Sequence, residues 1–289
     1  MFCYYLYGKH VVINVELPLL CNIADYNKVD LTVHVDFDII TGETINIKKD
    51  YERYIIELGS LAYYCVDPTK NIIICKAANF ESFFSTFFNI PFSVYFLCKD
   101  EILYHACSLI YDNIVFCLTG NKGVGKSTIT EILNSKNEFQ IFSDDTIHID
   151  NNFFSNSAHN LVKHTPETVE FLKLKTLNVK NAAGKYYSTF DKHYSLLKIN
   201  KIFHLIRTDN KLAIRPINNI LIKNSVFRAN IVGINYMPYP LISKVLKINP
   251  SPNIDFYELL VPNDLNSLIK NSDKLKQLIV NCFEMGVKL

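Results

Sequence analysis

The spacing of hydrophobic positions changes along the chain, and the change predicts where strands give way to helices. Between residue 1 and about residue 78, short segments alternate apolar and polar residues with a period of two, as in Leu31–Phe37. This alternation is typical of strands with one exposed face. Turn-forming pairs such as Thr41-Gly42 and Asp67-Pro68 separate the segments. Residues 1–78 are therefore predicted to form a β-rich N-terminal lobe.

From Phe80 to Leu97 the pattern becomes helical, and Pro91 is expected to kink the helix or divide it in two. The 17 residues Ser82–Cys98 carry no charge, but they include Asn89 and Pro91 and are short for a membrane span. A buried core helix is the favoured interpretation, with no membrane contact. Residues 79–289 are assigned to a second, α/β domain built on a mixed sheet.

A phosphate-binding motif, G-x-x-x-x-G-K-S, stands between a predicted strand and a predicted helix. The apolar run Ile114–Leu118 precedes it, and Ile129, Ile132 and Leu133 follow at helical spacing. In such loops the glycines let backbone N–H groups surround an anion, the lysine reaches the outer phosphates, and the serine hydroxyl can bind Mg²⁺. The sequence thus predicts a site for a nucleoside triphosphate and Mg²⁺. Its members are Gly120, Asn121, Lys122, Gly123, Val124, Gly125, Lys126, Ser127 and Thr128.

Upstream of this motif, a short turn predicts that a histidine lies near the phosphates. Ile102–Ile110 has the composition of a strand, and Tyr111–Asn113 is short enough to join it to Ile114–Leu118 as an antiparallel hairpin. A hairpin brings the early part of its first strand near the far end of its second. His105 is therefore predicted to lie beside the phosphate-binding loop.

Downstream, the predicted strand Phe139–Ser143 ends in two adjacent aspartates, Asp144 and Asp145, which stand 18 and 19 residues after Lys126. Ligands of nucleotide-binding sheets collect at the carboxyl ends of the strands. One aspartate is expected to bind Mg²⁺ and the other to accept a proton from an attacking hydroxyl. Adjacent residues of an extended strand point to opposite sides, so both reach the site only if the strand ends there. Which aspartate has which role stays open.

The remaining segments carry weaker signals. Asn151–Asn160 is polar and is predicted to be a loop flanking the nucleotide. His148, His159 and His164 show no metal-ligand spacing and are interpreted as ordinary surface or loop histidines. Further elements are predicted as a helix from Pro166 to Leu177, a strand at Leu196–Ile206, a helix at Asn218–Val226, a strand at Ile254–Val261 and a helix from Asp264.

Composition narrows the class of protein. Hydrophobic residues make up 49% and charged residues 20% of 289 residues, with a net charge of +2, so there is no basic excess to suggest nucleic acid. The eight cysteines form no C-x-x-C pair, and Met1–Tyr5 lacks the features of a signal peptide. A reduced, cytoplasmic protein is expected. A homo-oligomer stays open.

The site residues resemble the catalytic domain of HPr kinase/phosphorylase. His105 stands 15 residues before the first glycine of the loop, and a strand ending in paired aspartates follows the loop. The chain is also similar to stand-alone HPr-kinase-like proteins, including kinases that modify ribosomally made peptides. That similarity extends to Tyr4–Gly8, Tyr104–Ala106 and Leu259–Leu268.

The resemblance implies a fold like that of phosphoenolpyruvate carboxykinase and ATP- and Mg²⁺-dependent phosphorylation of a serine on a protein or peptide. By the same resemblance, Lys126 and the loop amides hold the β- and γ-phosphates, and Ser127 binds Mg²⁺ together with one of Asp144 and Asp145. The other aspartate is the base, and His105 lies near the transferring phosphoryl group.

The chain departs from the HPr kinase/phosphorylase pattern in two respects, and other functions stay open. The second, glycine-rich signature of HPr kinase/phosphorylase is missing, so neither HPr as the substrate nor the reverse reaction is implied. No motif marks the cation that stabilises the transferring phosphate. Lys185, Arg207, Arg215 and Arg228 are candidates, and Lys185 and Arg228 are preferred. The alternatives are a nucleotide-binding regulatory protein without phosphotransfer, a kinase of a small hydroxylated molecule, and an ATPase, for which the sequence shows no water-positioning residue. The combination of metal and base carboxylates argues against binding alone.

Overall fold

A computed structural model describes residues 1–20, 28–180, 184–191, 196–209 and 211–285. These residues form α-helices and mixed β-sheets, so the predicted α/β class is confirmed. The strands are β1 (Phe2–Leu6), β2 (Lys9–Ile13), β3 (Leu31–Phe37), β4 (Ile45–Asp50), β5 (Arg53–Leu58), β6 (Ala62–Asp67), β7 (Ile72–Ala77), β8 (Ile102–Tyr104), β9 (Cys107–Tyr111), β10 (Ile114–Thr119), β11 (Gln140–Ser143), β12 (Ile147–Ile149), β13 (Phe154–Ser157), β14 (Leu161–His164), β15 (Leu177–Lys180), β16 (Tyr186–Thr189), β17 (Leu197–Thr208), β18 (Ala213–Pro216) and β19 (Asp255–Pro262). The α-helices are α1 (Phe80–Phe87), α2 (Ile90–Cys98), α3 (Lys126–Asn134), α4 (Pro166–Leu172), α5 (Ile220–Ala229), α6 (Tyr239–Lys247), α7 (Leu265–Lys270) and α8 (Ser272–Met285).

The N-terminal segments form a seven-stranded sheet in the order β1-β2-β3-β7-β6-β5-β4. Strand β3 has the alternation expected from its sequence, because Leu31, Val33 and Val35 are buried while His34 is exposed. Its pairing with β2 and β7 is parallel, and the outer pairs β1–β2 and β4–β5 are antiparallel hairpins.

The second sheet carries the phosphate-binding loop, in the order β11-β9-β10-β17-β13-β12-β8, with β19 added beside β17 and β18 beside β19. Strands β9 and β10 form the predicted antiparallel hairpin, and Asp112 and Asn113 both take the positive φ that a tight two-residue turn requires. Because β11 pairs antiparallel with β9, it runs parallel to β10. The carboxyl ends of β10 and β11 therefore meet at one edge of the sheet.

The predictions for two segments of the second sheet are wrong. Ile102–Ile110 is not one strand: it divides at His105, whose N–H donates to the Asn230 carbonyl at 2.7 Å, and β8 then pairs with β12 at the far edge of the sheet. Asn151–Asn160 is not a loop, because it contains strand β13 between β12 and β17. Polar residues tolerate this burial because they are hydrogen bonded, as Ser155 is to the Leu197 carbonyl at 2.7 Å.

The histidines interpreted as surface residues are also buried. His148 and Glu101 are in ion-pair contact at 2.8 Å, and the other ring nitrogen of His148 contacts Asn156 at 3.2 Å. His159 and His164 are at most 4% exposed. Burying a histidine costs less free energy where a ring nitrogen finds a partner, as Nε2 of His164 does in the Ser188 hydroxyl at 2.7 Å, and the sequence pattern does not reveal such partners. The helix predicted from Asp264 is two helices, α7 and α8, and α4 ends at Leu172 rather than Leu177.

Helices α1 and α2 confirm the division expected at Pro91, which occupies the first turn of α2. They lie under the N-terminal sheet, and one core runs from that sheet through α2 into the second sheet. Phe92 lies at its centre, with its ring 4.9 Å from that of Tyr7 and 5.1 Å from that of Phe87. Among the described residues, no helix has both the length and the apolar content needed to cross a membrane.

Replacing Phe92 with Ala is expected to lower the free energy of unfolding by about 3–5 kcal/mol, because a fully buried ring is lost from the shared core. Urea unfolding followed by fluorescence and circular dichroism measures this loss. Tyr239→Ala is the control, since Tyr239 is 79% exposed and its removal should change stability by no more than about 0.5 kcal/mol. Equal effects of the two substitutions would contradict the position of Phe92 in the core.

Candidate active site

The phosphate-binding loop connects β10 to α3, and its glycines take conformations that other residues avoid. Gly125 has φ +101°, and a Cβ added there would lie 2.5 Å from Nη2 of Arg207. Gly120 has φ +133°, and a Cβ added there would lie 3.0 Å from the Leu205 carbonyl oxygen. Lys126 begins α3, is 8% exposed, and donates from Nζ to the Gly120 carbonyl at 2.9 Å. The Lys126 ammonium thus lies over the opening of the loop, beside the N-terminal amides of α3.

Asp144 follows β11 and receives hydrogen bonds from three different elements. Its Oδ1 accepts from the Ser127 hydroxyl at 3.1 Å and from the Cys107 thiol at 3.0 Å. Its Oδ2 accepts from the backbone N–H of Lys163 at 3.0 Å. Burial, together with the neighbouring carboxylate, raises the pKa of the Cys107 thiol well above its ordinary value, so the sulfur stays protonated and can donate.

The chain turns sharply immediately after Asp144. Strand β11 ends at Ser143, Asp145 takes φ +69°, and the N–H of Thr146 donates to the Asp144 carbonyl at 2.8 Å. This is a three-residue turn centred on a non-glycine residue, a conformation that costs free energy and tends to occur at functional sites. Because the strand ends here, the two adjacent carboxylates can face the same side.

The carboxylate of Asp145 has a different set of partners from that of Asp144. Oδ2 contacts the Lys163 ammonium at 3.2 Å, and Oδ1 contacts Nδ1 of His105 at 3.4 Å. Burial alone would raise the pKa of Asp145, but the Lys163 ammonium outweighs burial and holds the pKa well below its ordinary value, and the His105 ring adds to this effect when it is protonated in acid. Asp145 therefore stays ionised at neutral pH. About a third of its side chain is exposed, 33%, so solvent reaches it.

His105 is neutral at neutral pH. Burial lowers the pKa of its ring; Asp145 opposes that shift, and the nearby Lys126 ammonium adds to it. The ring is 37% exposed. The ring thus lies in contact with the carboxylate of Asp145 and close enough to Lys126 for that charge to act on it.

A second buried acid–base pair lies behind Asp144. Glu131, on the loop helix α3, and His164, on β14, approach to 3.4 Å. Burial, and then the charge of Asp144, raise the pKa of Glu131 to about 7. His164 also contacts the Ser188 hydroxyl at 2.7 Å. This pair ties the loop helix to the sheet β14-β16-β15 next to the carboxylates.

The oxygen groups at the loop fit Mg²⁺. The Ser127 hydroxyl and Asp144 Oδ1 are 3.1 Å apart, close to the separation of about 2.9 Å between adjacent ligands of an octahedral ion with bonds of 2.0–2.1 Å. Both are hard oxygen donors. Among the described residues, no group of three His, Cys, Asp or Glu side chains could hold a metal alone. Magnesium in nucleotide sites takes its other ligands from water and phosphate.

The remaining predicted site residues are Thr128, Lys185 and Arg228, and they do not all lie at the phosphate-binding loop. Thr128 Oγ1 contacts Thr168 of α4 at 3.1 Å, at the start of α3. Lys185 precedes β16 and is close enough for its charge to act on His164, near the carboxylates. Arg228 is not brought to the loop, because its guanidinium donates to the Leu246 carbonyl at 2.7 Å and the Ile248 carbonyl at 3.2 Å at the end of α6. The arginine that reaches the loop is Arg207.

Sequence reasoning missed Lys163 and Cys107. Lys163 stands in the short stretch Leu161–His164, and nothing in that stretch distinguishes it from a solvated lysine. Its role comes from the position of β14 beside Asp144 and Asp145. Cys107 could have been found, since the hairpin register pairs it with Leu118, two residues before the phosphate-binding loop.

Comparison with known proteins gives little further guidance. No protein-family model matches the sequence, and no curated protein matches it. Among solved structures, the chain is similar to the structure of the Hpr(Ser) kinase/phosphatase from Coxiella burnetii, with 14% identity and a TM-score of 0.30 over 64% of this chain and 95% of that chain. The identity and the TM-score are too low to establish a shared fold, so the function proposed below rests on the geometry of the site.

Replacing Lys163 with Met is expected to lower the free energy of unfolding at neutral pH by about 1–3 kcal/mol. The loss should be smaller than the roughly 3–5 kcal/mol of a fully buried pair, because Asp145 is 33% exposed. The lowered pKa of Asp145 means that its charge stabilises the fold above the unfolded-state pKa. That stabilisation is lost as the pH falls through the folded-state pKa.

The variant should therefore differ most from the wild type near neutral pH and less in acid. Urea unfolding at about pH 7.5 and at about pH 2, below the ordinary pKa of an aspartate in the unfolded chain, tests this dependence. Lys175→Met is the matched control, since Lys175 is exposed. A stability loss of the same size at both pH values would show that the ion pair is not its cause.

Proposed function

We propose that the protein is an ATP- and Mg²⁺-dependent kinase that phosphorylates a serine hydroxyl of a small protein or peptide. The observation that supports the proposal is that the two adjacent carboxylates contact different groups. Asp144 is directed to the Ser127 hydroxyl, whereas Asp145 is directed to Lys163 and His105. A module that only binds a nucleotide has no need of a second, solvent-reachable carboxylate beside the loop.

Each group has a defined task in this proposal. Lys126 and the amides at the start of α3 bind the outer phosphates. Ser127 and Asp144 hold Mg²⁺, which supplies charge neutralisation on the phosphates when bound. Asp145 accepts the hydrogen of the acceptor hydroxyl, and Lys163 keeps that carboxylate ionised. His105, neutral and next to both Lys126 and Asp145, orients Asp145 toward the transferring group.

The partial exposure of Asp145 and His105 supports a macromolecular acceptor. Both side chains are about one-third exposed, so a serine presented on a peptide can reach them from solvent. The proposal also includes serine specificity, a carboxykinase-like fold, a cytoplasmic location and a division of the chain into residues 1–78 and 79–289. Lys185 remains the proposed cation on the side of the transferring phosphate, because it lies near His164.

Replacing Asp145 with Asn is expected to reduce phosphate transfer about 100-fold or more while leaving ATP affinity nearly unchanged, because the proton acceptor is lost and the phosphate contacts are kept. Asp144→Asn should instead weaken the Mg²⁺ dependence of ATP binding. Titration calorimetry with and without Mg²⁺, followed by transfer assays, separates the two. Asp273→Asn, at an aspartate 89% exposed, is the control. Full activity of both active-site variants would exclude these roles.

The acceptor class is tested with γ-labelled ATP, Mg²⁺ and a degenerate library of serine-containing peptides, together with a small-molecule extract. Label is expected in the peptide fraction, on serine, and should be lost in Asp145→Asn. Label confined to the small-molecule fraction would favour a small-molecule kinase. ATP binding with no Asp145-dependent label in either fraction would favour a nucleotide-binding regulatory protein.

A further inference from the structure

The two sides of the phosphate-binding loop differ in chemistry, and the difference orients a bound nucleotide. The sheet order β11-β9-β10-β17-β19 places Asp144 on one side of the loop strand β10 and the ends of β17 and β19 on the other. If the terminal phosphate lies with Lys126 and Asp144, as the proposed function requires, the nucleoside end extends toward β17 and β19. This inference rests on the proposed function and deepens it.

A groove of about 320 Å³ lies on that second side. One wall is the phosphate-binding loop from Asn121 to Val124, and the other is the end of β17 from His204 to Arg207. Val124, Leu205 and Ile206 make the lining largely apolar. Binding sites for small ligands typically combine such walls with a few fixed polar groups.

Arg207 is one of the polar residues that line this groove, together with Asn121, Lys122 and His204. Its guanidinium lies against Gly125, where an added Cβ would come within 2.5 Å of Nη2, and Nη1 donates to the Pro262 carbonyl. Within the described part of the chain, no carboxylate pairs with Arg207 at salt-bridge distance. A planar cation fixed by one carbonyl offers a flat surface on which an aromatic ring can stack.

Two exposed polar side chains, Asp209 and Asn263, follow the groove residue Arg207 and its partner Pro262 along the chain. The Asn263 side-chain amide donates to Asp209 at 3.3 Å, and the Asn263 N–H donates to the Thr208 carbonyl at 2.9 Å. Both Asp209 and Asn263 are exposed, so their remaining donor and acceptor positions face solvent. They extend the edge formed by the ends of β17 and β19.

We propose that this groove binds the nucleoside part of the nucleotide, with the base stacked on the Arg207 guanidinium and its polar edge toward Asp209 and Asn263. Arg207 is then a nucleoside-binding residue and not the cation of the transferring phosphate. The terminal phosphate lies on the opposite side of the loop, with Asp144.

Titration calorimetry with two probes, Mg·ATP and Mg·tripolyphosphate, tests the proposal. Arg207→Met keeps the length of the side chain and removes the planar cation. It is expected to weaken ATP binding about tenfold and to leave tripolyphosphate binding unchanged. Lys126→Ala should weaken both probes. Arg53→Met, on β5 of the N-terminal sheet, is the matched control and should change neither.

An equal loss for both probes in Arg207→Met would overturn the proposal, because Arg207 would then bind phosphate. Unchanged ATP binding would also overturn it. If the wild-type protein bound neither probe, the proposed function would fail, and the groove assignment with it. Photolabelling of the wild-type protein with 8-azido-ATP needs no variant and guards against misfolding. Labelled peptides should include residues 121–125 or 204–209, and labelling confined to other segments would exclude the groove.

Discussion

The carboxylate of Asp144 is the point on which the geometry of the site depends, because donors from three elements meet there. Ser127 comes from the loop helix, Cys107 from the hairpin strand β9, and the Lys163 N–H from β14. The pairing of β9 with both β10 and β11 sets these distances. A slip of one residue in that register would turn every side chain to the opposite face. The packing of the sheet thus fixes the position of one oxygen atom relative to the loop.

Two neighbouring carboxylates would ordinarily disfavour each other's ionised form. The turn at Asp145 resolves this conflict by giving each one separate donors. Asp144 accepts hydrogen bonds from uncharged donors, whereas Asp145 faces the Lys163 ammonium. The same backbone segment therefore presents one carboxylate suited to a metal ion and one suited to a hydroxyl. That arrangement requires a positive φ at Asp145, a backbone conformation that costs free energy in a residue other than glycine.

The N-terminal sheet contributes to the site through packing. Tyr7, in the turn between β1 and β2, hydrogen bonds to the Thr146 hydroxyl at 2.7 Å and donates to the Phe88 carbonyl at 2.7 Å. Thr146 is the residue immediately after Asp145. The ring of Tyr7 also contacts Phe92 of the shared core. Because the core is continuous, the turn that orients Asp145 is supported from both sheets at once.

The sequence by itself determined the features that neighbouring residues encode. The glycines of Gly120–Thr128, the apolar strand before them and the Asp112-Asn113 turn are local signals, and their structures followed from local chemistry. The short hairpin and the spacing to the paired aspartates were enough to bring His105, Asp144 and Asp145 to one edge. Only the tertiary structure decided that Lys163 neutralises Asp145 and that Arg207, not Arg228, reaches the loop. Those contacts join residues far apart in the chain, and strand pairing, which no single segment specifies, brings them together.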